Sequence, residues 1–145
     1  MEISEISINY KPLQKATELT KIISSEQAVK FFRVIWSERI QYVEEFYVML
    51  LNRSNKIIGY IKLSQGGTSG TIADPKMVFQ AALKTNSHAV ILCHNHPSGN
   101  LKPSDADIKM TKQISEAGKV LEILVLDHII LTYEGSFSFA DEGMM

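Results

Sequence analysis

The sequence predicts an α/β fold, a mixed sheet flanked by helices, and three observations carry that reading. Apolar runs of strand length (44–51, 56–63, 88–93, 121–126 and 128–133) are spread along the chain rather than clustered. Segments with helical spacing of apolar residues open at 24, 74 and 104, between those runs. Turn-forming residues separate the segments, so helices and strands interleave, the pattern of a sheet covered by helices.

Residues 1–23 read as an N-terminal extension: a short edge strand from the loose alternation of Ile3, Ile6 and Ile8, then irregular chain after Pro12. Ser24 and Gln27 fit a capping box, in which the hydroxyl accepts from a free backbone N–H and the amide reaches back. Phe32, Ile35, Trp36 and Ile40 share the apolar stripe of the helix that follows, which is expected to end before Val43. EEFYVMLL (44–51) and KIIGYIKL (56–63) read as a β-hairpin closed by Asn52-Arg53-Ser54-Asn55. QGGTSGT (65–71) is loop chemistry, either a substrate-facing lid or a plain connection. Asp74-Pro75 opens a second helix, with Asp as N-cap and Pro at the first helical position, and Val78, Ala81 and Ala82 form its apolar side.

HAVILC (88–93) reads as a central strand and HNHPSGNLKPS (94–104) as a loop. A third helix runs from Ser104 to Gly118, the glycine acting as stop signal. LEILVL (121–126) and HIILTY (128–133) read as two strands with Asp127 at their junction. Glu134-Gly135 turns the chain, and Phe137 and Phe139 alternate inward.

Composition narrows the function. A length of 145 residues suits one domain, here 24–145 beyond the extension. The single cysteine excludes an internal disulfide and a zinc site built from several thiolates. Fifteen basic residues against sixteen acidic ones weigh against nucleic acid as a partner. No signal-like segment and no apolar run of membrane length is visible, so the expected location is the cytoplasm, away from a membrane.

The chemistry concentrates at the end of the 88–93 strand. His94 and His96 are two apart, and in extended chain they project to the same side, within reach of one metal ion. Asp107, in the first turn of the next helix, can supply a carboxylate as third ligand. Two nitrogens and one oxygen, with a fourth position for water, is the pattern of a catalytic zinc site. On local grounds Ser104-x-x-Asp107 reads first as a capping box variant, with the acid favoured by the helix dipole. Cap and ligand roles are compatible, because one carboxylate oxygen can bind metal while the other accepts from backbone. Cys93 reads as a buried small hydrophobe. His128 reads as either an orienting residue behind a ligand or a polar residue at a β-bend, outside the metal set.

The string His94-x-His96, seven residues, Ser104, two residues, Asp107 resembles the JAMM (MPN+) metalloprotease motif, and HNHPSGNLKPSDAD resembles the bacterial RadC branch of the JAB/MPN superfamily. Val125-Leu126-Asp127-His128 and Ser138-Phe139-Ala140 match the same pattern. The resemblance spans about 24–145 and implies a cytidine-deaminase-like three-layer fold. It implies Zn2+ on His94, His96 and Asp107, with Ser104 donating to the developing oxyanion. It also implies an upstream glutamate as general base. Glu-x-Phe in Glu44-Glu45-Phe46 favours Glu44, although local sequence leaves Glu45 open. The implied reaction is hydrolysis of a peptide or isopeptide bond in a polypeptide substrate, such as a ubiquitin-like or extended C-terminal tail. The rival readings are a DNA-repair-associated protein that binds DNA or a protein partner, and a metal-free scaffold.

Overall fold

The computed structural model of the chain describes residues 1–66 and 73–145, so most of the glycine-rich segment 65–71 lies outside the described residues. Helix α1 covers Ser25–Ile35, α2 Pro75–Lys84 and α3 Asp105–Val120; the strands are β1 Glu45–Leu51, β2 Ile57–Gln65, β3 Ala89–Asn95, β4 Leu124–Leu131 and β5 Ser136–Ser138. They form one mixed sheet in the order β2-β1-β3-β4-β5. Only β3 and β4 are parallel, which requires a long crossover, and α3 provides it.

Side chains of the central strands alternate between two cores. Phe46, Val48, Leu50, Val90 and Leu92 pack against Val78 and Phe79 of α2 and Ile114 of α3. Tyr47, Met49, Leu51, Ile91, Cys93 and Ile129 pack against Ala28 and Phe32 of α1. The sheet therefore has α1 on one face and α2 with α3 on the other, the three-layer arrangement expected. β1 and β3 are buried along their whole length, as continuous apolar runs demand. Full burial of a side chain such as Phe32 or Leu92 stabilises by about 1.5–3 kcal/mol each. Among the described residues no helix is long and apolar enough to cross a membrane.

The helix starts are where the cap residues put them. Ser24 Oγ accepts from Gln27 N–H, and the Gln27 side chain reaches back to Ile23 N–H. Asp74 accepts from Lys76 N–H ahead of Pro75. In the hairpin, Asn52 Oδ1 accepts from the N–H groups of Ser54 and Lys56, and Asn55 takes a positive φ of 57°.

Several expectations are corrected. No strand forms near Ile3, Ile6 and Ile8, which stay exposed; the extension meets the sheet through a bridge between Lys21 and Lys56, hydrogen bonds from Ile57 N–H to Thr20 O and from Tyr10 Oη to Ile58 O, and Ile22 in the core. Helix α1 ends before Val43 as expected, but already at Ile35, because Trp36 turns extended and its ring packs 4.5 Å from Tyr47; Trp36 and Ile40, expected on the helix, reach the same core from the connection instead. β3 continues to Asn95, so His94 is a strand residue. Gly118 does not stop α3, which runs on to Val120. A Cβ there would lie 2.4 Å from the Ile123 carbonyl oxygen, so the glycine is needed for close approach. The runs on either side of Asp127 are one strand, with a register shift against β3 where Val90 pairs Val125 and Ile91 pairs Asp127.

Candidate metal centre

Three elements meet outside the carboxyl end of β3, beside the N-terminus of α3. His94 pairs with Phe46 of β1 and Ile130 of β4 and is almost fully buried. Phe46 stacks on its ring at 5.9 Å and 5°, which limits how the imidazole can turn. One residue past the strand, His96 keeps the ladder through its N–H to Leu131 O at 2.8 Å, so its ring falls on the same side. The two Nε2 atoms lie 3.0 Å apart.

Asp107 reaches them from the first turn of α3, 3.3 Å from His94 Nε2 through Oδ1 and 3.2 Å from His96 Nε2 through Oδ2. It is also half of a complete capping box: Asp107 N–H donates to Ser104 Oγ at 3.0 Å, and Ser104 N–H donates to Asp107 Oδ2 at 2.9 Å. The cap aims the carboxylate at the two imidazole rings. Ser104 itself is exposed at the helix start.

Glu44 stands immediately before β1, half-buried, and a carboxylate oxygen of Glu44 and one ring nitrogen each of His94 and His96 lie within 4.8 Å of one another. Glu45 points to the opposite face, toward α1. Its fully buried carboxylate accepts from Ser37 Oγ at 2.6 Å and Tyr47 Oη at 3.0 Å, and pairs with Lys62 at 2.9 Å and Arg39 at 3.3 Å. Of the two acids left open by the sequence, Glu44 is the one beside the histidines.

The electrostatics follow the geometry. The hydrogen bond to Asp107 holds the His96 ring above the usual histidine value against the opposing effect of burial. Burial would raise the Asp107 carboxyl, but its contacts with His94 and His96 outweigh that and hold it well below the usual carboxylate range. His96 Nδ1 lies 2.6 Å from Asn100 O, which can only accept, so Nδ1 carries a proton. The Nε2 atoms of His94 and His96 and the Asp107 carboxylate then face one another, a cluster that either a further proton on His96 or a metal ion can hold together. The 3.0 Å between the two Nε2 atoms is close to the edge of a tetrahedral donor set, about 3.3 Å for bonds of about 2.0 Å, and each Asp107 oxygen lies against one of them. The group fits a metal ion.

Three further residues belong to this region. His128 is fully buried between Phe46 and Phe139, stacked on the latter at 4.9 Å, and its Nε2 is 2.7 Å from His94 Nδ1. It is no β-bend residue. Burial pushes its ring well below the usual histidine value, so it is neutral. Thr111 contacts His128 Nδ1 at 2.6 Å, and its only signal in the sequence is a polar residue one helical turn after Asp107. Asn95, between the two histidines, points to the other face. Its Nδ2 donates to Ile40 O and Val43 O at 2.7 and 2.9 Å, and its Oδ1 accepts from Glu45 N–H at 2.7 Å. Asn95 thereby pins to β3 the connection that delivers Glu44. Cys93 is buried on the α1 side of the sheet, facing away from the centre, and burial raises its thiol.

The two outlying strings meet each other. Asp127 accepts from Ser138 Oγ at 2.6 Å and Ala140 N–H at 3.0 Å, and Phe139 N–H donates to His128 O. They hold β5 and Phe139 against His128 rather than supplying ligands.

A family model for the RadC-like JAB domain matches residues 22–144. A UPF0758 protein of Flavobacterium johnsoniae is 46% identical over 127 residues, 88% of this chain and 55% of the relative. One from Porphyromonas gingivalis is 38% identical over 135 residues, covering 92% and 59%, and one from Alkaliphilus metalliredigens 39% over 140 residues, covering 90% and 60%. The chain thus spans little more than half the length of these relatives, whose shared name states no activity.

Proposed function

Because the chain belongs to the RadC-like JAB domain family, we propose that it is a zinc-dependent hydrolase of amide bonds, peptide or isopeptide, in a polypeptide substrate. The observation that carries this reading is the convergence of His94 Nε2, His96 Nε2 and the Asp107 carboxylate at 3.0–3.3 Å with Glu44 beside them. Those three residues would hold the zinc, which when bound polarises a carbonyl and makes a water acidic enough to lose its proton near pH 7. Glu44 takes that proton as general base and delivers it to the nitrogen of the breaking C–N bond, so the amine leaves neutral. Ser104 Oγ accepts from Asp107 N–H, which leaves its own proton to donate to the carbonyl oxygen as negative charge develops there. Asn95 keeps Glu44 in place during the two transfers.

A cavity of about 350 Å³ lies among Pro97, Gly99 and Leu101 of the loop that follows His96, Gln41, Tyr133 and Glu134, without touching His94, His96, Asp107 or Glu44. β2 is an edge strand with Tyr60 and Ile61 exposed, so an extended tail can add to it through backbone hydrogen bonds.

The test is direct. Zinc-loaded chain and its Glu44→Gln variant are incubated with a proteome-derived peptide mixture and with a lysine-isopeptide-linked conjugate, and new amino groups are read by mass spectrometry. Cleavage by the first and none by the second, with equal zinc content, is expected. Zinc-loaded chain that cleaves neither substrate contradicts the reading.

A further inference from the structure

Four groups from three elements form an unbroken line behind the metal centre. Thr111 Oγ1 lies 2.7 Å from the Asp107 carbonyl oxygen and 2.6 Å from His128 Nδ1; His128 Nε2 lies 2.7 Å from His94 Nδ1. Every member is buried, with Thr111 and His128 no more than 3% exposed, so bulk water does not compete for these contacts.

Counting protons along this line leaves one arrangement. A carbonyl oxygen has no proton, so the hydroxyl proton of Thr111 goes to Asp107 O. Thr111 Oγ1 then has only lone pairs for His128, so His128 Nδ1 carries the ring proton and donates it. The neutral His128 ring has its lone pair on Nε2, which makes His94 Nδ1 the donor there. The His94 nitrogen without a proton is therefore Nε2, the atom that faces His96 and Asp107. With the ring held by Phe46 on one side and by this hydrogen bond at Nδ1, both the position and the direction of that lone pair are set.

We propose that Thr111 and His128 are positioning residues for the metal centre: Thr111 sets the tautomer of His128, and His128 sets that of His94, so that Nε2 is offered to the metal. The line also joins the elements that carry two of the ligands. Asp107 on α3 and His94 on β3 are tied through His128 on β4, and a displacement of one is transmitted to the other. This rests on the metal-centre part of the proposed function and not on the hydrolytic step.

Two measurements on the full chain test it. The first is zinc affinity by competition with a chromogenic chelator, for the wild type, Thr111→Val and Thr111→Ser. Thr111→Val removes the acceptor that fixes His128 and is expected to weaken zinc binding about 10- to 100-fold, the usual effect of losing a group that orients a metal ligand. Thr111→Ser keeps the hydroxyl and is expected to bind within about threefold of wild type. Thr111→Val that binds zinc as tightly as wild type overturns the proposal. The second needs no variant: long-range 1H–15N correlation of the zinc-loaded wild type assigns the protonated nitrogen of each histidine ring. The proton is expected on Nδ1 of both His128 and His94, and a proton on His128 Nε2 overturns the proposal. A wild-type chain that takes up no zinc at this site overturns the metal-centre reading itself, which separates the two failures.

Discussion

Adjacent acids at the start of β1 do opposite work because a strand sends successive side chains to opposite faces. Glu44 is beside the histidines, whereas Glu45 is a buried structural charge on the α1 side. Hydrogen bonds from Ser37, Lys62 and Tyr47 outweigh the effect of burial and hold the Glu45 carboxyl below its usual value. The folded state then binds the proton less readily than the unfolded chain. Its contribution is fully present above the usual carboxylate value, about 4.3, and is lost as pH falls through the lower folded value. Glu45→Gln is expected to destabilise by about 1–3 kcal/mol at pH 7. Urea melts at pH 7 and pH 3 check this: the gap between wild type and variant should narrow at the lower pH. Asn95→Ala removes the three hydrogen bonds of a fully buried side chain and is expected to cost about 2–4 kcal/mol. Its zinc affinity should stay near wild type, because the ligands do not depend on it, while hydrolysis falls with the loosening of Glu44. Parallel zinc titrations and activity assays separate the two. The spacing of His94, His96 and Asp107 was legible in the sequence because strand parity and the capping box are local. His128 was legible only as one of two readings, and Thr111 and Asn95 not at all, since His128 reaches His94 from 34 residues away through the register of β3 with β4, and Asn95 grips a connection 50 or more residues upstream.

At the level of elements, the same contrast divides helix starts from helix ends. Ser24, Asp74 and Ser104 announce their helices because a cap is a contact within one turn. Where α1 stops is decided by packing against a distant strand, Trp36 on Tyr47, whereas α3 passes Gly118 and ends at Val120 in a local turn, with Glu122 at a φ of 57° and Ile123 N–H bonded to Gly118 O at 2.9 Å. Gly118→Ala tests the close approach that this turn makes. Helix propensity favours alanine by about 1 kcal/mol. The new Cβ meets a backbone oxygen at 2.4 Å, which cannot swing away as a side-chain tip can. The clash wins, and the variant is expected to lose about 1–3 kcal/mol, read as a lower urea midpoint. The same reasoning explains the single strand β4: Asp127 looks like a break in an apolar run, but its carboxylate is satisfied by His128 N–H, Ser138 Oγ and Ala140 N–H, so the strand passes through it.

Across the whole molecule, the sheet order brings the site together. β3 is central and parallel to β4, so the crossover helix α3 must begin at the end of β3 where His94 and His96 lie, and its first turn carries Asp107. Antiparallel β1 starts at the same end and brings Glu44. Ligands in α/β sheets gather outside the carboxyl ends of strands for this reason. The three-layer scaffold holds this arrangement through two apolar cores, so removing metal should leave the fold intact and only shift its stability. Zinc at 100 times its dissociation constant is expected to add about 2.7 kcal/mol to unfolding, visible as a rise in melting temperature that a chelator reverses. On the proposed function, His94, His96 and Asp107 form one zinc site with Glu44 beside it. Anomalous scattering at the zinc edge from crystals of the zinc-loaded chain is the decisive experiment. One peak bonded to His94 Nε2, His96 Nε2 and an Asp107 carboxylate oxygen is expected, with the Glu44 carboxylate beyond bonding distance; no peak among these groups, or one bonded through the Nδ1 atoms, overturns the assignment.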